Sequence, residues 1–325
     1  MKLGIVGAGN WGMNLIRNFC KILTVENVII CDTDKKRISK LDFEYPGIKT
    51  TESLDTILND DKINAVVVAS PAETHYDIAK KALTSGKHVF VEKPITLNVK
   101  EAEKLIEISE SKHLTLMVDH ILIYHPVVKK LKELIDEGTL GEIYYIYSQR
   151  VNLGVIRSNE NALWSLGPHD VSLYLHLLNE EPDLINAIGD VYIQKENCIE
   201  DTVFLHLHFP SGVDAHAHLS WLDPHKIRRL TVVGSKKMAV FDDMEPRNKL
   251  TIFDRGAEWT EESGVGVRYG DIYIPNVPLK EPLRVVCEHF LECIEKDKKP
   301  WSDGFDGLKV IRILEEAERI LKRRS

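Results

Sequence analysis

MKLGIVGAGNWGMNLIRNF, residues 1–19, decides how the first third of this chain is read. Leu3 to Val6 is an apolar run of strand length. Gly7-Ala8-Gly9-Asn10-Trp11-Gly12 follows at once, and apolar residues then recur at helical spacing through Phe19. A lone GxGxxG is a weak signal. Between a strand and a helix, with an acid about twenty residues on, it has the setting of a dinucleotide-binding turn. Gly7 permits the tight turn, Gly9 lets the backbone approach a pyrophosphate, and Gly12 lets helix and strand pack closely. The helix N-terminus adds amide donors and the positive end of its dipole. The bland alternative is a tight turn with no ligand, and the context disfavours it.

The acid is Asp32, which ends the next apolar run, Val28–Cys31. A carboxylate there accepts hydrogen bonds from ribose hydroxyls and repels a 2′-phosphate, so the expected cofactor is NAD rather than NADP. Lys35, Lys36 and Arg37 follow and read as the start of a solvated helix face. Further strand-like runs at Ala65–Ala69, His88–Val91 and Thr115–Val118 alternate with amphipathic stretches such as Tyr76–Ser85 and Lys100–Lys112. Runs that are apolar on both faces, separated by helices, predict an α/β domain over residues 1–120. Its core is a doubly wound parallel sheet of the Rossmann type. Ligands gather at the carboxyl ends of such strands, which places Ser70-Pro71 at the edge of the cleft.

With 325 residues the chain is long enough for two domains. Charged residues make up 28% and the net charge is −8, which argues against a surface of clustered Lys and Arg for nucleic acid. No apolar stretch approaches the ~20 residues that span a bilayer. The N-terminus runs straight into a strand, without a charged-then-apolar leader. Cys20, Cys31, Cys198, Cys287 and Cys293 are odd in number and form no CxxC pair, so neither a disulfide framework nor a zinc knuckle is indicated. These features predict a cytoplasmic protein with no nucleic-acid or membrane partner.

Val91-Glu92-Lys93-Pro94 ends another strand in the same crevice. A Lys there is placed to meet a substrate hydroxyl, and Pro94 restricts Lys93 to extended conformations. Seen alone, a surface Lys before a helix is an equal reading.

From about His120 the pattern changes. Val127–Gly138 reads as a helix. Alternating runs follow at Ile143–Val151, Ile185–Ile193, Thr202–Phe209, Val213–Trp221, Leu230–Val233 and Met238–Phe241. Residues 121–325 are therefore expected to form an α+β domain: a mostly antiparallel, open-faced sheet with helices on one face, closed by Leu283–Lys296 and Gly307–Lys322. The turn at Pro210-Ser211-Gly212 places His206, His208, His216 and His218 on one face of a hairpin, opposite Val203, Leu205, Leu207 and Phe209. Two HxH pairs are one arrangement that binds Zn²⁺, but a polar face or an oligomer interface is commoner, and no metal is assigned to catalysis. A sheet covered on one side leaves the other to water or to a second subunit. The expected assembly is a homodimer or homotetramer through that sheet, loosened when the four imidazoles charge together as pH falls.

GAGNWG, then EKP, then Gly167-Pro168-His169 in a second, β-rich domain resembles the glucose–fructose oxidoreductase/inositol dehydrogenase (Gfo/Idh/MocA) family of sugar dehydrogenases over nearly the whole chain. The resemblance implies that Lys93 and His169 flank the sugar carbon that loses hydride. It also implies an NAD-dependent oxidation of a CH–OH group. The residues expected to face the cofactor are Gly7, Gly9, Asn10, Trp11, Gly12, Asp32, Ser70, Pro71, Glu92 and Lys93. Many family members carry an Asp four residues before the His, where this chain has Ser165. A Ser orients an imidazole only weakly and does not support its cation, which shifts weight toward Lys93 as the base. Asp170 reads as a capping or structural residue.

The segments Ser148–Gly154, Leu163–Asp170 and Ser220–Asp243 are similar to family dehydrogenases that oxidise C3 of UDP-N-acetylglucosamine-type sugars. A UDP-sugar carries two phosphates, so cations of the second domain should matter. The expected substrate-binding residues are Lys93, Arg150, Asn152, Arg157 and His169. Lys226, Arg228 and Arg229 are either further phosphate ligands or the polar face of a strand. The alternatives are an inositol or free-sugar dehydrogenase, which needs no diphosphate-binding arginines, and a catalytically silent NAD-binding sensor.

Overall fold

The computed structural model describes residues 1–261 and 264–323. β1 (Leu3–Val6) is buried at every position, as a central strand covered on both faces requires. It leads into α1 (Asn10–Leu23), β2 (Val28–Cys31), α2 (Lys35–Glu44), β3 (Lys49–Thr51) and α3 (Leu54–Leu58). The chain continues through β4 (Ala65–Val68), α4 (His75–Thr84), β5 (His88–Val91), α5 (Val99–Ser111) and β6 (Leu116–Val118). The six strands are parallel in the order β3-β2-β1-β4-β5-β6, so the order reverses between β1 and β4. This is the doubly wound arrangement expected from the alternation of apolar runs and amphipathic helices.

The second half begins with α6 (Pro126–Asp136) and β7 (Ile143–Val151), followed by α7 (Ala162–Leu178). Seven strands come next: β8 (Leu184–Asp190), β9 (Thr202–His208), β10 (Asp214–Ser220), β11 (Ile227–Gly234), β12 (Met238–Asp242), β13 (Leu250–Thr260) and β14 (Gly264–Tyr273). They form one sheet ordered β14-β13-β12-β11-β7-β10-β9-β8, antiparallel except where β7 pairs with β10. Along β9, Val203, Leu205 and Leu207 are buried under α7 while Phe204 is half exposed. That alternation gives the open-faced sheet.

The chain closes with α8 (Pro282–Glu295) and α9 (Gly304–Lys322). It divides into two compact units: Met1–Tyr124 with Glu281–Arg312, and His125–Lys280 with Ile313 onward. Residues 281–312 therefore differ from the expectation that everything after residue 120 belongs to one domain. The reason lies in what the first sheet needs covered. Phe290 of α8 packs on Phe90 of β5 at 5.5 Å, and Phe90 meets Phe19 of α1 at 6.2 Å. At the sheet edge, Val118 N donates to Ser302 O at 2.8 Å and Ser302 Oγ donates to Val118 O at 2.6 Å. The edge strand β6 is closed by the returning chain. Among the described residues no helix is long and apolar enough to cross a membrane.

Candidate active site

The carboxyl edge of the parallel sheet is set out by one further rung on each strand. Gly7 N donates to Cys31 O, Ala69 N to Val6 O, Glu92 N to Val68 O and Asp119 N to Val91 O, all at 2.8–2.9 Å. The loops that start at Gly7, Asp32, Ser70, Lys93 and His120 thus leave from one line.

At the first of these loops, Gly7 has φ +104°, and an added Cβ would stand 2.5 Å from Ala69 O. A Cβ on Gly12 would stand 2.2 Å from Gly7 O. Both glycines are dictated by close backbone approach. Gly9 differs: beside it lies open space, with Arg37 Nη1 nearest at 4.0 Å. No side chain caps α1 at Gly9, which leaves its first-turn amides for a ligand. Asp32, 8% exposed, brings its carboxylate over the turn: Oδ2 accepts from Ala8 N at 2.6 Å and Oδ1 from Asp34 N at 2.8 Å. An open cradle, uncapped amides and a carboxylate one strand away fit the pyrophosphate and adenosine ribose of NAD. Lys35, Lys36 and Arg37 are exposed at the start of α2, and Arg37 lies 3.5 Å from both Asp32 and Asp34. Asn10 and Trp11 are exposed on the same turn.

Ser70 and Pro71 lie at the end of β4, where the Ser70 and Thr74 hydroxyls are 2.6 Å apart. The buried His75 ring links this loop to the next, with Nε2 2.9 Å from Ser70 O and Nδ1 2.7 Å from Pro94 O. Burial pushes its pKa down while the two carbonyls pull it up. Lys93 is half buried, and its bond to Pro94 is cis. Its charge acts on His75, Glu92, Asp119 and His120. Glu92 departs from the expectation. Its carboxyl is buried and turned inward against Asp119, whose Oδ2 accepts from Trp11 Nε1 at 3.3 Å.

In the second unit, α7 starts at Asn161, whose side chain accepts from Trp164 N at 3.1 Å. It continues through Gly167 and Pro168, where a Gly167 Cβ would already touch Leu163, Leu219 and Leu314 at 3.3 Å. His169 is half buried, with the buried Ser165 one turn before it. Asp170 points the other way, into the sheet, where it grips Arg150 bidentately (Nε–Oδ2 2.6 Å, Nη2–Oδ1 3.4 Å). Arg150, expected on the substrate, thus already has a buried carboxylate partner. Arg228 stands directly opposite Arg150 in the β7–β11 register and donates to Val151 O at 2.8 Å and to Asn152 Oδ1. Burial, and then the charge of Arg150, lowers its pKa to about 10. Arg157 is exposed and paired with Glu160 at 3.0 Å, while Arg229 is held by Asp242 at 2.7 Å.

Sequence reasoning passed over Asp119, His120 and His75. A polar pair one step beyond the Thr115–Val118 run was the available signal, since that step is the carboxyl edge of a strand. Among the described residues no group of three or more His, Cys, Asp or Glu forms a metal-binding cluster.

Two family models match the chain. One describes an oxidoreductase family with an NAD-binding Rossmann fold and matches residues 1–120. The other, the GFO/IDH/MocA C-terminal domain, matches residues 128–240. The chain is 26% identical to UDP-N-acetylglucosamine 3-dehydrogenase of Acidithiobacillus ferrooxidans, over 96% of this chain and 94% of that protein. It is 23% identical to myo-inositol 2-dehydrogenase of Thermotoga maritima, over 99% and 96%. A solved structure of the Acidithiobacillus ferrooxidans enzyme superposes with TM-score 0.84 at 22% identity, covering 99% of this chain and 98% of that one, and shares its fold.

Proposed function

We propose, since the chain belongs to the GFO/IDH/MocA family of NAD-binding oxidoreductases, that it is a sugar dehydrogenase whose substrate is a UDP-N-acetylglucosamine-type nucleotide sugar, oxidised at C3. The observation that carries the substrate class is the pair Arg150 and Arg228. The two arginines stand opposite each other in the β7–β11 register; Asp170 pairs with Arg150, and the charge of Arg150 acts on Arg228. Like charges held together below the surface favour an anion, and a diphosphate provides one. Inositol is uncharged and makes no use of such a pair. Similarity to a myo-inositol dehydrogenase keeps that substrate as the second reading.

NAD, when bound, supplies the acceptor for the two electrons and the hydrogen that leave the sugar carbon. The rest falls to the chain. Gly7, Gly9 and Gly12 shape the turn for the pyrophosphate, and Asp32 holds the ribose. Lys93 receives the hydroxyl proton, with His169 as its partner in proton handling, while Asn152, Arg157 and Arg228 bind the substrate's phosphates. Asp170 holds Arg150 in place behind them.

Arg228→Met tests this reading. A hydrogen bond to a charged group is worth ~1.5–3 kcal/mol, so KM for the nucleotide sugar should rise about tenfold or more with kcat changed far less. An unaltered KM contradicts the phosphate role.

The outer face of the second sheet is proposed to pair with a second copy. Tyr145, Tyr147, Ile188 and Phe204 are 38–51% exposed there. His206, His208, His216 and His218 share that face, but they do not charge as one set. Asp214 accepts from His206 and His208 at 2.9 Å and raises His208, whereas burial lowers His216 and His218. The neutral forms of His216 and His218 are favoured, a contribution fully present above their ordinary value of ~6.5 and lost as pH falls below it through their lowered folded-state values. That of His208 has the opposite sign: present at low pH and lost as pH rises. Light scattering should show an oligomer at about pH 7.5 that weakens below about pH 6. A monomer throughout contradicts it.

A further inference from the structure

We propose that Glu92 and Asp119 share a single proton between their carboxyl groups and so present one negative charge, not two, to Lys93. The proposal rests on the reading of Lys93 as the residue that receives the substrate proton. β5 and β6 pair with Val91 opposite Val118, so Glu92 and Asp119, the next residue on each, emerge side by side. They are 8% and 1% exposed. Each carboxyl has one oxygen committed to a donor. Glu92 Oε2 accepts from Lys93 N at 3.2 Å, and Asp119 Oδ2 accepts from Trp11 Nε1 at 3.3 Å. The other two oxygens, Glu92 Oε1 and Asp119 Oδ1, are buried and meet no donor among the described residues. The two side chains are each other's partners, and two carboxyl groups bond to each other only through a proton.

Charge counting gives the same answer. Two carboxylates in contact in a dry interior do not both stay ionised. Burial, then the charge of Asp119, holds the Glu92 carboxyl well above its ordinary range, and burial raises Asp119 too. Among the described residues, Lys93 is the cation that acts on both carboxyl groups. Burial drives buried His120 down to about 4, so it is neutral, and neither of its ring nitrogens meets a partner among the described residues. Burial raises the Tyr124 phenol and the Cys287 thiol, so both stay protonated. One cation, Lys93, faces one retained negative charge. With two charges behind it the ammonium would be held too firmly to act as a base; with none, little would hold the side chain at the strand end.

Infrared spectroscopy of the full chain near pH 7.5 is expected to show a carboxylic-acid band that Asp119→Asn removes, because the amide donates to Glu92 and leaves it ionised. Absence of the band in the unaltered protein, or its survival in Asp119→Asn, overturns the sharing. The pH profile of kcat/KM gives a second readout. Asp119→Asn keeps one negative charge and should leave the acid-side apparent pKa in place. Glu92→Gln with Asp119→Asn removes that charge and should lower the value by about one unit or more. A single substitution that already lowers it, by about half the shift of the double, means the pair was doubly ionised. A double substitution that moves nothing means the pair carries no charge to Lys93. Either result contradicts the proposal. The infrared measurement needs no turnover, so it stands apart from the assignment of the sugar.

Discussion

Lys93→Met is expected to keep NAD affinity within a few-fold and to lose about 10²–10⁴ in turnover, the usual worth of a positioned proton-transfer group. Met keeps an unbranched stem at this half-buried position and removes only the amine. The glycine turn belongs to β1 and α1 and is untouched, so cofactor titration by fluorescence separates binding from chemistry. His169→Asn is the comparison. Ser165, not a carboxylate, stands one turn before His169 on α7, so nothing at that position supports an imidazolium. The His169 variant should lose less than the Lys93 variant. Equal turnover in Lys93→Met and the unaltered protein would remove Lys93 from the reaction.

Asp32→Ser should carry the next largest effect, about 10–100-fold off the preference for NAD over NADP, the loss of one or two hydrogen bonds to a charged group. The Asp32 carboxylate does two things at once. On the proposed reading it accepts from a ribose hydroxyl, and it holds Arg37 Nη1 at 3.5 Å beside the Gly9 opening. Removing it erases the repulsion of a 2′-phosphate and frees a guanidinium to bind one. Both changes act in the same direction. Equal affinity for the two cofactors before any substitution would contradict the role of Asp32.

What could be read from the chain follows the range of the interactions that produce it. The turn at Gly7 to Gly12 was legible because strand, glycines and helix lie within one short stretch and the approach of Gly12 to Gly7 O is local, although Gly7 itself packs on Ala69, far along the chain. The four histidines on one hairpin face were legible for the same reason, since a period of two survives a tight turn. β13 and β14 escaped notice because Gly256, Gly264, Gly266 and Gly270 and several charges interrupt their runs. β14 also lies mostly exposed, so no apolar alternation marks it. The middle of α7 was obscured by Gly167-Pro168, where the proline removes one helical hydrogen bond. Leu283–Lys296 and Gly307–Lys322 read correctly as helices, yet amphipathicity says only that a face is buried, not against which sheet. The Arg150–Asp170 and Glu92–Asp119 pairs depend on register between strands and helices far apart in the chain, which composition and spacing do not carry.

The central claim, oxidation of a nucleotide sugar by NAD, is tested most directly by absorbance at the NADH band after the protein is mixed with NAD and UDP-N-acetylglucosamine, beside a parallel sample with myo-inositol. NADH is expected in the first sample, with a product oxidised at C3 by mass spectrometry and NMR, and inhibition by UDP that competes with the sugar. NADH from myo-inositol alone, with no response to UDP, would contradict it.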